Sequence, residues 1–559
     1  MTSHTQPSVT LPQGKVVGIQ LTNNNTFPQP VDAFLGIPYA RPPIGDLRFR
    51  PPLKVTPSTN TIDASKYGPA APGKALLPGG PELEQSEDCL TANVFRPAPK
   101  AEAGKSEDKL LPVAIYIHGG AFNRGSAAMH KTASMVAWSA EPFVAVSFGY
   151  RLGALGFLPS GVTKTEGALN LGLRDQMLLF EWVQDNIAKF GGDRGAVTLI
   201  GLSAGAHSIG HHLLNYDQHN PQKPPFHRVV IESGSPTSRA VRPYNARIHE
   251  AQFADFLTEV GVPPDTPESE IFKYLRTLPS EIITTAQTAV FDKYNPSLRW
   301  AFQPVIDGEI IRRKPLDAWR LGYWHKVPIM TGFNTNEGTM YVDKTMDDPR
   351  DFRGFWAMLL PQLEDEDLDT IETLYPDPSI STPGSVSPYL ETREGYGLGS
   401  QYKRIEAAYG HYAYVAPVRQ TAHFASSQGA NAYLYHWALP RTVVGGANHA
   451  DNMYYETYND EITGISDSQK DLSGVLHGYI TSFITAGDPN VVGGRYKERP
   501  TWERYDSAKP RVLVFGEGNE ELVGGGPGGE RERAKCVDDT WAREETEFWW
   551  GKVEISQLA

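Results

Sequence analysis

Short apolar runs rich in β-branched residues recur along this chain and constrain its fold more than any other feature. They are Leu111–Ile117, Phe143–Phe148, Ala196–Leu202, Arg228–Ile231, Val327–Thr331, Ala432–Trp437 and Arg511–Phe515. Each is too short for a buried helix and mostly apolar throughout, the pattern of a strand covered on both faces. Helical periodicity lies between them. From Leu171 to Phe190, the residues Leu173, Met177, Phe180, Val183 and Ile187 recur every three or four positions and share one helix face, and Gly191-Gly192 supplies the stop. Strands alternating with helices predict an α/β fold, with a large, mostly parallel central sheet and helices on both faces. No internal repeat or low-complexity linker divides the chain, so residues 1–559 read as one domain. The stretches at about 236–320 and 351–423 are mainly helical in pattern and read as insertions over or beside the sheet.

Composition narrows the functional classes. With 40% hydrophobic residues in 559, the chain can bury a large core. Its net charge of −13 repels phosphate backbones and gives no attraction to an anionic membrane, so no nucleic-acid partner is expected. No stretch of about 18 apolar residues occurs, and no membrane span is expected. Cys89 and Cys536 are too few for a disulfide framework. Met1–Val17 lacks the basic start and apolar run of a signal peptide, and the C-terminal Ser-Gln-Leu-Ala matches no retrieval signal. The expectation is a cytoplasmic protein. The single sequon, Asn24-Asn25-Thr26, is of chance frequency and carries no weight. Tyr67–Pro81, Pro99–Lys109, Leu363–Asp369 and Gly524–Arg533 read as solvated surface loops.

Two motifs carry chemistry. Gly201-Leu202-Ser203-Ala204-Gly205 is a G-x-S-x-G pentapeptide between the run Val197–Ile200 and a helical segment. A sharp strand-to-helix turn of this kind lifts the serine hydroxyl clear of the sheet as a nucleophile. The pentapeptide alone arises by chance as a small-residue turn, and its placement gives it weight. His118-Gly119-Gly120-Ala121-Phe122 follows the run Val113–Ile117. Acyl transfer develops a negative oxygen, and backbone N–H groups aimed at it lower the barrier. Gly120, Ala121 and Ala204 are the candidate donors. His118 reads as a residue holding its loop rather than as a base.

With these motifs in view, the chain resembles the type-B carboxylesterase and cholinesterase-like family of the α/β-hydrolase superfamily. The resemblance spans nearly the whole chain. It rests on Phe34–Pro43 with Leu47-Arg48-Phe49, and on Glu87-Asp88-Cys89-Leu90 with Asn93-Val94-Phe95. Further along it rests on Asn170–Gln176 with Trp182-Val183 and Gly191-Gly192-Asp193, and on Ala486–Asn490 with Trp502. The resemblance implies the acid in Asn334-Thr335-Asn336-Glu337-Gly338 and the base in Gly446-Ala447-Asn448-His449. A Ser203, Glu337, His449 triad would then act without a cofactor, with Glu337 orienting the histidine. Asp307 stays open as a rival acid, and His436 reads as a core or edge residue. His207, His211 and His212 stand at helical spacing, yet no third-ligand pattern accompanies them and no metal is expected.

Departures from the family sharpen the expectation. Leu202 stands where the family usually has Glu, which removes a negative charge beside the nucleophile and predicts neutral small or medium esters over choline esters. Ala121 replaces a loop glycine, and Gly149 stands where Asn is usual. The family's early disulfide partner, near Ala71, is missing, so Cys89 is expected to be unpaired. The reading is a serine carboxylic-ester hydrolase acting on a small-molecule ester through an acyl-enzyme. The alternatives are a specialised lactone hydrolase or acyltransferase, and a non-catalytic binding module. Sequence leaves the oligomeric state open.

Overall fold

All seven apolar runs become strands of a single sheet. The computed structural model describes residues 6–23, 27–75, 82–99, 109–239, 241–380, 386–494, 499–517 and 533–556. The Asn24-Asn25-Thr26 triplet, residues 76–81, most of Pro99–Lys109 and of Gly524–Arg533, and both chain ends lie outside them.

Numbered in chain order, the large sheet consists of β1 (Ile19–Asn23), β2 (Phe27–Pro38), β3 (Thr91–Pro97), β4 (Leu111–Ile117), β5 (Val144–Phe148) and β6 (Gly192–Leu202). It continues with β7 (Arg228–Glu232), β8 (Ile329–Asn334), β9 (Ala432–Trp437), β10 (Arg511–Phe515) and β11 (Ala534–Asp538). Their spatial order is β11-β10-β9-β8-β7-β6-β4-β5-β3-β2-β1. Pairings from β5 across to β10 are parallel, and the outer ones are antiparallel. Chain order reverses at β4 and β6, which lie side by side while their neighbours run outward in opposite directions. The carboxyl ends of strands at such a switch point form a crevice for ligand.

The parallel centre is buried on both faces, as its unbroken apolar runs required. On one face Val113, Ile115, Val197 and Leu199 pack with Leu173, Leu179, Phe180 and Val183 of helix α1 (Leu171–Asn186). On the other, Tyr116, Ile200, Val230, Met330 and Tyr433 pack with Leu476, Tyr479, Ile480 and Phe483. The helical stretches contribute a third cluster around Phe352, Trp356, Tyr375 and Trp549, which also takes in Ala121 and Trp300. These helical stretches therefore pack directly on the glycine loop after β4.

Two of the quoted sequence stretches are joined by buried ions. Arg48 donates to both carboxylate oxygens of Glu87, each at 2.7 Å. Arg151 likewise grips Asp175 of α1, at 2.9 and 2.7 Å.

Some expectations need correction. Leu363–Asp369 is no solvated loop beyond its first residues: helix Asp365–Leu374 begins there, capped by Glu364. Its acidic residues sit in the first turn, where the helix dipole favours negative charge. β2 carries Pro28, Pro30 and Pro38, which broke its pattern as a strand. Strand β8 starts after Pro328 and continues to Asn334, beyond the expected end at Thr331.

Candidate functional site

The pentapeptide's glycines have a steric cause. A Cβ on Gly205 would stand 1.9 Å from the Ile117 carbonyl oxygen, and one on Gly201 would stand 2.7 Å from the Gly205 carbonyl carbon. The turn therefore folds β6 against helix α2 (Ala204–Asn215) more closely than any side chain permits. Between them Ser203 takes φ 58°, ψ −121°, a region costly for a residue with a Cβ. The Ser203 N–H donates to the Glu232 carbonyl at 2.9 Å, which fixes the turn to the end of β7.

The loop after β4 comes alongside. A Cβ on Gly119 would lie 2.7 Å from the Leu202 carbonyl oxygen. Gly120 has φ 117°, and Ala121 and Phe122 have φ 55° and 60°. Asn123 holds this strained turn, its Nδ2 donating to the Ala121 carbonyl at 2.8 Å and to the Ala301 carbonyl at 3.1 Å. His118 stacks on Tyr150 with ring centroids 4.4 Å apart, and Tyr150 Oη donates to the His118 carbonyl at 2.8 Å. Burial lowers the His118 pKa to about 4, so it is neutral.

Glu337 and His449 meet across 112 residues of sequence, with Nδ1 donating to Oε2 at 2.5 Å. The Glu337 carboxylate is buried, and its other oxygen accepts from Ser233 Oγ at 2.6 Å and from the Asn334 N–H at 2.7 Å. Asn336 ties the two loops: its Oδ1 accepts the Ala447 N–H at 3.0 Å, and its Nδ2 donates to Glu406 at 2.8 Å. Gly446 has φ 58°, and a Cβ there would meet Asn336 Oδ1 at 2.2 Å. Gly338 backs onto the Glu406 carbonyl, 1.9 Å from where its Cβ would be. Both motifs thus carry glycine where two chains touch. Tyr414 and Tyr341 pack on the His449 ring, at 4.5 and 5.4 Å between centroids. His449 Nε2 is buried and has no hydrogen-bond partner among the described residues, Ser203 Oγ included.

Ser203, His449, Gly119, Gly120, Ala121 and Leu202 all line one cavity of about 1100 Å³. Its wall also holds Lys74, Arg124, Lys131 and Arg441 against only Asp451 and Glu461.

The rival residues have other duties. Asp307 Oδ1 accepts the N–H groups of Glu309, Ile310 and Ile311 at 2.9, 2.9 and 3.0 Å, and Oδ2 accepts from Asn170, so Asp307 shapes a turn. His436 bonds Thr335 Oγ1 at 2.7 Å within the core. His207 bonds the Ser235 carbonyl at 3.0 Å, and His212 bonds Gln176 at 2.8 Å. Among the described residues no group of three or more His, Cys, Asp or Glu is placed to hold a metal. Cys89 is buried and Cys536 half-buried, both unpaired. Ser233, Tyr341 and Tyr414 were not visible as site residues in the sequence. They come from three separated segments, and only the fold brings them to Glu337 and His449.

Comparison with known proteins identifies the family and the fold. A family model described as the carboxylesterase family matches residues 5–537. The chain is 34% identical to "Secreted lipase 4" of Gibberella zeae, over 97% of this chain and 91% of that protein. It is 32% identical to "Lipase 1" of Geotrichum candidum, over 88% and 89%. The crystal structure of Aspergillus niger EstA superposes with a TM-score of 0.79 at 25% identity, covering 99% of each chain. The expectation of a cytoplasmic location is overturned here, because a relative along nearly the full length is named as secreted. The unpaired Cys89 is compatible with that location, because it is buried and shielded from oxidants.

Proposed function

Because the chain belongs to the carboxylesterase family and is a carboxylic-ester hydrolase of α/β-hydrolase fold, we propose that Ser203 is its nucleophile, His449 its general base and Glu337 the acid that orients the base. The observation that carries this reading is the buried Glu337–His449 pair at 2.5 Å opening onto the same cavity as the strained Ser203. Ser203 Oγ attacks the ester carbonyl carbon while His449 Nε2 takes its proton. The N–H groups of Gly120, Ala121 and Ala204 receive the oxyanion. His449 then protonates the leaving alcohol, and water repeats the steps on the acyl-enzyme. Glu337 holds Nδ1 protonated, so that Nε2 presents its lone pair to the serine, and stabilises the imidazolium.

The substrate is a neutral small or medium ester. Leu202 places an apolar side chain beside the nucleophile, and the basic side chains in the cavity wall outnumber the acidic ones. Both features disfavour a cationic alcohol such as choline. The name of the Gibberella zeae relative supports a secreted location for this chain as well.

The test is hydrolysis of p-nitrophenyl esters from acetate to decanoate by wild type and Ser203→Ala. Loss of a triad nucleophile lowers kcat by about 10⁶-fold. A variant that keeps a tenth of wild-type turnover refutes the assignment. Turnover of acetylcholine well above its uncharged analogue refutes the neutral-substrate reading.

A further inference from the structure

Behind the triad lies a second buried acidic group that the mechanism above does not use. Glu232 ends β7, one residue before Ser233, and Glu456 ends helix α3 (Asp451–Glu456), just after His449. Both side chains are fully buried. Glu232 Oε1 accepts from Tyr435 Oη at 3.0 Å and from Asn452 Nδ2 at 2.9 Å. Glu456 Oε1 meets His130 Nε2 at 2.9 Å. The remaining oxygens, Oε2 of each, are buried with no donor from any other described residue, and the two carboxyls lie within hydrogen-bond reach of one another.

Two carboxylate oxygens in contact, away from water, repel each other unless a proton lies between them. Among the described residues no cation relieves the pair. Its one ion-pair neighbour among the described residues is His130, which burial keeps neutral, and no lysine or arginine reaches either carboxyl. The other titratable groups packed against the pair are Tyr116 from β4 and Tyr435 from β9, both held protonated by burial. His477 is engaged with the Glu456 carbonyl at 2.8 Å.

The pair is wired to the catalytic acid. Asn452 joins Glu232 to Asn334, whose Nδ2 donates to Asn452 Oδ1 at 3.3 Å and to the Asn448 carbonyl at 2.6 Å. The Asn334 N–H in turn donates to Glu337. The Glu232 backbone carries the Ser203 N–H, and the next residue, Ser233, donates to Glu337. One residue thus reaches the nucleophile's turn by its backbone and the acid's support by its side chain.

We propose that Glu232 and Glu456 share a single proton, and that this bridged pair is a positioning element holding Glu337 and His449 in register with Ser203. The positioning role rests on the triad reading above, whereas the shared proton does not. Loss of that proton at alkaline pH places two negative charges face to face and loosens the support of Glu337. Burial raises both carboxyls well above the ordinary carboxylate range, which places the loss on the alkaline side.

Glu456→Gln mimics the protonated acid, with its amide N–H donating to Glu232 and its carbonyl accepting from His130. Wild type is expected to lose kcat, with little change in KM, on the alkaline side of neutrality. Glu456→Gln is expected to keep neutral-pH kcat within about threefold and to lose this alkaline limb. Infrared difference spectra between wild type and variant at neutral pH should show one protonated-carboxyl band missing from the variant. If Glu456→Gln does not fold, Glu232→Gln repeats the same hydrogen bond from the other side and is read identically. An alkaline limb unchanged in the folded variant, or no protonated-carboxyl band lost, overturns the proposal. Should wild type turn over no ester at all, the triad reading has failed, and the infrared measurement still decides whether the proton is shared.

Discussion

Asn336 Oδ1 accepts the Ala447 N–H at 3.0 Å, and this bond ties the loop carrying Glu337 to the loop carrying His449. The same side chain donates from Nδ2 to the buried Glu406. Asn336→Ala removes both bonds while leaving the Glu337–His449 contact in place but unsupported. Placement errors of about 1 Å cost around 10²-fold in rate. The expected outcome is a fall of about 10- to 100-fold in kcat with KM nearly constant, read by steady-state kinetics on a p-nitrophenyl ester. A fall in KM affinity alone, with kcat intact, contradicts the positioning role.

The Gly205 position makes a steric prediction. Its Cβ would lie 1.9 Å from the Ile117 carbonyl oxygen, a backbone atom in the middle of the sheet that cannot swing aside. Gly205→Ala is expected to cost about 3 kcal/mol or more. The measurement is chemical denaturation, with loss of soluble expression as the extreme case. Unchanged stability would show that the turn has slack the backbone geometry denies.

Arg151 and Asp175 make an energetic one. Their side chains are 3% and 0% exposed, and Asp175 also accepts the Arg151 N–H at 3.0 Å. Asp175→Asn keeps the shape but leaves a guanidinium buried without its counter-charge, a change worth about 3–5 kcal/mol. Urea denaturation is expected to show that loss. Arg151→Met with Asp175→Leu, which removes both charges, is expected to recover much of it.

Much of this was legible in the sequence, for physical reasons that differ by element. The parallel strands were readable because burial on both faces forces continuous apolar runs: Leu111–Ile117, Ala432–Trp437 and Arg511–Phe515 match β4, β9 and β10 at both ends. The outer strands were not. β2 is interrupted by proline, and β11 is only partly buried, so neither shows that signature. Ser203 stood out because its turn requires glycine at Gly201 and Gly205. Glu337 and His449 came from family resemblance alone, since a carboxylate and a histidine carry no local mark of partnership. Ser233, Tyr414 and the Glu232–Glu456 pair were out of reach, because what brings them together is the packing of β7, the π-helical segment His411–Val415 and α3.

Buried titratable groups set the last prediction, the pH profile of stability. Burial lowers the pKa of His118 and His130 to about 4, and of His211, His212, His249, His411 and His436 to about 3. In the unfolded chain these histidines protonate near about 6.5. As pH falls below that value the unfolded state binds protons that the folded state refuses, so stability is lost between about 6.5 and the folded values. Burial also raises Glu406 and Asp451 to about 7 and Glu456 to about 8. Here the sign reverses: the folded state holds protons that the unfolded state releases near about 4, so stability is lost as pH rises toward about 7 and 8. In the window where the two sets oppose each other, the eleven histidines that burial lowers outnumber the five carboxyls that it raises. Their balance places maximum stability near about pH 7. Calorimetric Tm at constant ionic strength should therefore climb from about pH 4 toward neutrality and decline again above it. A Tm that is flat across the acid range would mean that these histidines accept protons inside the fold, against their burial.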